Sequence, residues 1–280
     1  MGDHAVRLPD ERGLRACYDR LMLRRFTTPS FALAAGVIVA LMPRPAQACG
    51  VSGPDGASVC MLAQGIGPKW QASVSGIYTS TRLSFSGGDL KSDQTRGGLM
   101  ASLGRQISRQ LTVQAGLGSS FGGALVAPDG RHAFNPGLLG LLGASYRIYG
   151  GPELDERGEG RQRNPFVVLT SALSFNLTST RHDAAGAADE GRVAYRAFDL
   201  RLGALVGLTL ADRFRPYALA RAFGGPVYWR YRGTAVTGTD AYHVQLGGGM
   251  SVAIGGGFAV FAEGVPLGER GASGGAAMAF

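Results

Sequence analysis

The sequence predicts an all-β fold, in which a single antiparallel sheet closes into a transmembrane β-barrel of ten strands, with eight or twelve strands as alternatives. Three observations predict it. Long runs alternate apolar residues with polar or very small ones. Short connections between the runs alternate with longer polar ones. Tyrosine and tryptophan gather at the ends of the runs, where transmembrane barrels carry aromatic girdles: Trp70, Tyr146, Tyr149, Tyr217, Tyr228, Trp229, Tyr231 and Tyr242.

The alternation is clearest in residues 111–121, where Leu111, Val113 and Leu117 share one face and Thr112 and Gln114 the other. Such runs reach about ten residues, whereas globular strands usually have about five or six, which disfavours a secreted β-sandwich. An apolar face toward lipid and a polar face toward a lumen explain the pattern. We predict strands at 70–85, 96–107, 111–122, 134–149, 165–179, 194–210, 214–231, 241–254, 257–265 and 271–280.

The connections predict the two sides of the membrane. Tight turns are expected at 108–110, 211–213 and 255–256, and long loops at 86–95, 123–133, 180–193 and 232–240. Alternation of short and long connections places both termini on one side and requires an even number of strands. Residues 150–164 and 266–270 break the alternation, which keeps eight and twelve strands open.

Residues 22–48 have the three parts of a secretory signal peptide. Arg24 and Arg25 precede an apolar run at 31–42, and Ala46-Gln47-Ala48 forms a small-x-small cleavage site. We predict cleavage between Ala48 and Cys49, because the apolar run is shorter than the roughly 20 residues that span a bilayer. Residues 1–21 are charged and do not fit the signal, so the natural start is expected at Met22 and residues 1–21 are interpreted as an extension.

Residues 49–69 are expected to form a periplasmic segment with a disulfide between Cys49 and Cys60. These are the two cysteines left after cleavage, and an exported chain reaches an oxidising compartment. Closing such a short loop would contribute roughly 3 kcal/mol. Lipidation of Cys49 is the minor alternative, since Ala46 stands where lipoprotein signals carry leucine.

The chain ends on Phe280, the last residue of the alternating run 271–280. This closing strand resembles that of outer-membrane β-barrel proteins of Gram-negative bacteria, and the resemblance covers residues 70–280. It implies a place in the outer membrane, contact with lipid and lipopolysaccharide, and recognition of Phe280 by the barrel-assembly machinery. It indicates neither a subfamily nor an oligomeric state.

The alternation also predicts what lines the barrel. Glu263 is expected to pair with Arg201 or Arg147, because a buried charge is tolerated only with a partner. Many other inward positions are glycine, which favours either a narrow water-filled path or a closed lumen braced by charge pairs. The lumen-lining candidates are Arg147, Asp199, Arg201, Arg230, His243, Gln245 and Glu263.

Arg221 contradicts this scheme. It shares a face with Tyr217, Leu219 and Phe223, which places it toward lipid at a cost of roughly 2–4 kcal/mol. We therefore expect a register change near 224–226, where Gly-Gly-Pro suits a bulge.

For function, the sequence favours a narrow pore or small-solute channel. The alternative is a structural or surface-interaction barrel that acts through its loops. The net charge of +8 comes from scattered single arginines, so no nucleic-acid partner is expected.

An enzyme is a minor alternative. Its candidate residues are His132, His182-Asp183, Asp240, His243 and Ser92, and none lies in a specific motif. We therefore predict no enzyme and no cofactor. We also predict no metal site, because no histidines show i, i+4 or Cys-His ligand spacing.

Overall fold

The computed structural model describes residues 70–85, 90–108, 110–150, 163–182, 191–211, 213–255 and 257–280. The predicted signal peptide, the 49–69 segment and the Cys49–Cys60 disulfide lie outside these residues. No helix in the described ranges is long and apolar enough to cross a membrane. The strands are β1 (Trp70–Phe85), β2 (Leu90–Gln106), β3 (Leu111–Ala127), β4 (Gly130–Phe134), β5 (Gly137–Tyr149), β6 (Arg163–His182), β7 (Val193–Leu210), β8 (Phe214–Gly224), β9 (Val227–Tyr231), β10 (Thr234–Asp240), β11 (Val244–Gly255), β12 (Phe258–Leu267) and β13 (Arg270–Ala279).

Ten of these strands close an antiparallel ring, which confirms the all-β barrel predicted from the alternation. Its order is β1-β2-β3-β5-β6-β7-β8-β11-β12-β13, and β13 pairs with β1. At one end the backbones of Trp70 and Phe280 exchange two hydrogen bonds, of 3.1 and 2.9 Å. Both ends of the barrel segment therefore lie at the same rim, which we call the terminal end; the opposite end is the distal end.

The barrel narrows toward the distal end because one hairpin is short. β12 ends at Leu267 and β13 begins at Arg270, and beyond this turn β10 pairs directly with β1, with Leu83 opposite Asp240. The distal ring consists of β4, β9, β10 and the distal ends of β1, β2, β3, β6 and β7. We call this ring the eight-stranded section and the rest of the barrel the ten-stranded section.

Several predicted loops are therefore wrong in part, because they form strands of the eight-stranded section. Residues 90–95 belong to β2, residues 123–127 to β3, residues 130–133 to β4, and residues 234–240 to β10. These stretches are short and contain glycine or polar residues, which made them resemble loops in the sequence.

Three barrel strands are interrupted where the sections meet, and one of these breaks is at residues 241–243, between β10 and β11. Residues 135–136 separate β4 from β5, and residues 225–226 separate β8 from β9; Pro136 and Pro226 cannot donate to a ladder. A side chain on Gly225 would lie 2.0 Å from the carbonyl oxygen of Phe198, so glycine is required there. The predicted register change at 224–226 is wrong, because β7 pairs with β8 and β9 in one continuous register.

The outer face of the ten-stranded section is apolar. Its exposed side chains include Val74, Leu117, Leu142, Leu202, Val206 and Val244. Exposed Trp70, Tyr146, Tyr149 and Phe280 lie at the terminal rim, and exposed Tyr78, Tyr228 and Tyr242 lie toward the distal end. An apolar band between aromatic girdles is the surface of a transmembrane barrel. Two predicted girdle residues, Tyr217 and Trp229, are instead buried inside.

Candidate functional site

The interior of the ten-stranded section is crossed by a fully buried ion pair. Arg221 on β8 donates to Glu263 on β12 through both terminal nitrogens, at 2.8 and 3.1 Å, and the Tyr217 hydroxyl donates to the same carboxylate at 2.9 Å. The side chains of Arg221 and Glu263 are each 1% exposed. Glu263 therefore has a partner, but it is Arg221 and not the predicted Arg201 or Arg147.

Arg221 does not face lipid. The inward face of β8 carries Tyr217, Leu219, Arg221 and Phe223, all of them buried, while Ala218, Ala220 and Ala222 face outward. The sequence prediction assigned the larger apolar residues to lipid. On this strand they pack inside instead, where Tyr217 and Leu219 join Phe166, Val168, Leu205 and Val265 in an apolar cluster.

A second charged group lies nearer the distal end. Arg201 binds Asp199, and it donates to Glu269 at 2.7 Å; Gln245 donates to the same Glu269 oxygen at 2.6 Å. Glu269 lies at the tip of the short β12–β13 hairpin, just where the ring changes from ten strands to eight. These contacts connect β7, β11 and the hairpin across the interior.

The structure places the predicted lining residues in two groups. Arg147, Arg201, Gln245 and Glu263 are buried inside the barrel, and Asp199 is half-buried beside Arg201. Arg230 and His243 are exposed. Arg230 faces outward because Val227 and Trp229 occupy the inward face of β9, and His243 lies in the break between β10 and β11 with Nδ1 3.3 Å from the Phe223 carbonyl oxygen.

Space remains beside these networks. A cavity of about 60 Å³, enough for a few water molecules, is lined by Thr79, Arg96, Met100, Leu141, Asn176 and Arg201 among others. Its lining residues belong to β1, β2, β5, β6 and β7.

The eight-stranded section is filled by an apolar core. Leu83, Phe85, Leu125, Ala127, Phe134, Tyr195, Val227 and Trp229 are all buried there. Phe85 contacts Trp229 with ring centroids 5.7 Å apart, and Phe134 meets Tyr195 edge-on at 5.0 Å. An eight-stranded ring is just wide enough for side chains to fill, and this core occupies the interior of the section.

The polar groups of two aromatic side chains in this core have hydrogen-bond partners. The Tyr195 hydroxyl donates to Gln94 at 2.5 Å, and Trp229 Nε1 donates to Thr180 at 3.0 Å. Burial raises the pKa of Tyr195, so the hydroxyl stays protonated and remains a donor. The polar ends of Tyr195 and Trp229 are therefore satisfied inside the core.

Two histidines and an aspartate meet at the distal edge of this core. His132 on β4 lies opposite His182 on β6, with ring centroids 4.6 Å apart, and the Asp129 carboxylate lies 3.1 Å from His132 Nε2. Burial opposes ionisation of Asp129, but the hydrogen bond and charge of His132 and the charge of His182 together hold its pKa below the ordinary value. Sequence spacing did not reveal this cluster, because pairing between strands brings it together.

Asp240 lies in the same section, opposite Leu83. Its carboxylate accepts a hydrogen bond of 3.0 Å from Thr81. Burial, together with the negative charges of Glu269 and Asp199, raises the pKa of Asp240 to about 7. Ser92, the other loop residue among the enzyme candidates, is buried on β2.

No protein-family model matches this sequence. No curated protein is similar to it in sequence. Among solved structures, the outer membrane protease OmpT from Escherichia coli shares 9% identity at a TM-score of 0.46, over 76% of this chain and 97% of that one. The transport unit of the autotransporter AIDA-I from Escherichia coli shares 11% identity at a TM-score of 0.38, over 76% and 90%.

An outer membrane channel from Pseudomonas putida F1 also resembles the chain, with 11% identity and a TM-score of 0.36 over 78% of this chain and 98% of that one. The structural neighbours are outer-membrane β-barrel proteins of Gram-negative bacteria. The likeness concerns barrel architecture; protease and channel activities are properties of those proteins.

Proposed function

We propose that this outer-membrane barrel is closed to ions and solutes and acts through its extracellular eight-stranded section. The observation that carries the proposal is the change from ten strands to eight, with an aromatic core filling the narrower ring. With both termini periplasmic, this section projects from the membrane into the medium. The buried Arg221–Glu263 and Arg201–Glu269 pairs support closure, because they occupy the wider lumen below it.

The outward-facing charges of the barrel are the basis on which we propose its lipid partners. Above the apolar band, exposed arginines encircle the eight-stranded section: Arg82, Arg131, Arg181, Arg196 and Arg230. Cations at this height suit the phosphate groups of lipopolysaccharide. Phe280, which is exposed and paired with Trp70, is proposed as the signal for the barrel-assembly machinery.

A narrow pore is the second candidate. The cavity beside Arg96, Asp199 and Arg201 favours it, because water already fits among charged groups at mid-lumen. A pore would require the aromatic core above the cavity to move aside. No catalytic role is proposed for His132, His182 or His243.

Conductance distinguishes the two candidates. The refolded barrel in a planar bilayer is expected to give no steady open events, whereas Trp229→Ala removes a buried ring and should give leak currents. Val244→Ala, which shortens an exposed side chain on the apolar band, is the matched control and should stay silent. Steady openings of the unmodified protein would overturn closure and support the pore; a silent Trp229→Ala barrel that folds normally would show that this ring is not the barrier.

A further inference from the structure

The Asp129–His132–His182 cluster is built by the fold rather than by a loop. β4 and β6 hold the two histidines directly opposite each other, and Asp129 lies in the turn between β3 and β4. One ligand atom from each residue lies within 4.8 Å of the others. Strand pairing therefore fixes the two imidazoles, and the β3–β4 turn brings the carboxylate beside them.

The distances suit a small cation. Two ligand atoms on one tetrahedral zinc lie about 3.4 Å apart when the bonds are about 2.0–2.1 Å long. The three atoms of the cluster lie within 4.8 Å of one another, so metal binding would draw them together by at most about 1.4 Å. The separation of 3.1 Å between His132 Nε2 and Asp129 Oδ1 already matches two ligands of one metal. Gly130, with φ at +139°, leaves space beside His182, since a Cβ there would lie 3.3 Å from its Nε2.

The surroundings hold the ligands in place. The side chains of His132 and Asp129 are only 5% and 10% exposed. The His132 ring rests edge-on against Trp229, at 4.9 Å between centroids, so it is anchored to the aromatic core. His182 is half-buried, which leaves one side of the cluster open to the medium.

We propose that Asp129, His132 and His182 form a binding site for a divalent transition metal of the zinc class, with one position left for water or a further ligand. Two imidazoles and one carboxylate select zinc and its neighbours over calcium or magnesium, which prefer oxygen ligands alone. The bound metal would fasten the β3–β4 turn to β6 at the cell surface. The site does not depend on whether the lumen conducts.

One neighbouring charge opposes the metal and offers a test. Arg232 Nε lies 3.6 Å from Asp129 Oδ2, and the Arg232 side chain is largely exposed. Because a cation there competes for the same carboxylate, Arg232→Ala should strengthen metal binding, whereas a cluster that is only packing would show no such gain.

The experiment titrates Zn²⁺ alone, by calorimetry, and Co²⁺ alone, by visible absorption, into the full exported chain without a polyhistidine tag. We expect one saturable site. His182→Ala and Asp129→Asn should each weaken binding at least about tenfold, since even outer partners of metal ligands are worth 10–100-fold. His243→Ala, an exposed histidine outside the cluster, should bind like the unmodified protein.

His132 is not replaced in this experiment, because His132→Ala would alter the buried core. The folding of the other variants is checked separately. His182→Gln keeps size and polarity at a half-buried position. Its folding is checked by gel electrophoresis, in which a folded barrel migrates differently before and after it is unfolded by heating. No Zn²⁺ binding by the unmodified protein would overturn the inference. Binding that survives both His182→Ala and Asp129→Asn, or a cobalt spectrum of thiolate ligands, would place the metal elsewhere and overturn it as well.

Discussion

The two sections of the barrel solve opposite packing problems with the same strands. In the ten-stranded section the outer face is apolar, and Arg221, Glu263 and other polar groups lie inside. In the eight-stranded section the inner face is mainly apolar and aromatic, while Arg82, Arg181 and Arg230 face outward. The first is arranged for lipid and the second for water. The difference shows that a single sheet can pass from one solvent to the other by exchanging the character of its two faces.

β1 shows where the exchange occurs. Along its inward face, Ser73, Ser75 and Thr79 are followed by the apolar Leu83 and Phe85. Along its outward face the apolar residues give way to Arg82, which pairs with Asp93 on β2 at 2.7 Å. The exchange lies near residues 80–82, and this marks the edge of the lipid more directly than strand length does.

The largest expected effect concerns the buried pair of the ten-stranded section. Glu263→Gln leaves the Arg221 charge buried without its counter-charge, which should lower the free energy of unfolding by about 3–5 kcal/mol. Urea titration of the barrel in lipid vesicles measures it. The double substitution Arg221→Met with Glu263→Gln removes both charges and should recover most of the loss.

The exposed pair at the distal edge is the matched control for that prediction. Breaking the Arg82–Asp93 contact with Arg82→Ala should leave the urea midpoint almost unchanged, because exposed pairs contribute little. Equal losses for Glu263→Gln and Arg82→Ala would show that the lumen is as well hydrated as the outer rim, contrary to a closed interior.

A smaller effect is expected from Asp240 in the eight-stranded section. Its pKa of about 7 exceeds the value near 4 of an unfolded aspartate, so between these values the folded state binds the extra proton. The free energy of unfolding should therefore be highest below about pH 4 and fall until about pH 7, by about 2 kcal/mol after partial screening by solvent.

Asp240→Asn provides the comparison for this pH dependence. It keeps the shape and a hydrogen-bond acceptor for Thr81 but cannot ionise, so its stability should lose that part of the pH dependence. Thr81→Val, which removes the hydroxyl that favours the charged form, should steepen the decline. Parallel pH profiles for Asp240→Asn and the unmodified barrel would contradict the assignment.

The strand positions could be predicted from the sequence, because alternation depends only on neighbouring residues. The closing strand is likewise in phase, with Phe280 exposed at the terminal rim. The faces of β8 could not be assigned reliably, since its outward residues are alanines and its bulky residues pack inside. The reversal of apolar character along β1 was present in the sequence and would have predicted the eight-stranded section.

The side-chain contacts between strands could not be predicted from the sequence. Pairing Glu263 with Arg221, or His132 with His182, requires the register of strands 42 and 50 residues apart, and alternation does not encode register. The contact of Glu269 with Arg201 could not be predicted for another reason. Glu269 lies in a five-residue irregular connection, and its sequence does not indicate that the tip turns inward.

Labelling along β6 tests whether the barrel exchanges its faces and is closed outside the membrane, as we propose. Single cysteines replace Leu169 and Thr170 in the ten-stranded section and Thr180 and Arg181 in the eight-stranded section, and intact cells are treated with a bulky membrane-impermeant maleimide. Only the cysteine at Arg181 is expected to react, because Leu169 faces lipid and Thr170 and Thr180 lie inside. Equal labelling at Thr180 and Arg181 would mean an open distal mouth and would contradict it.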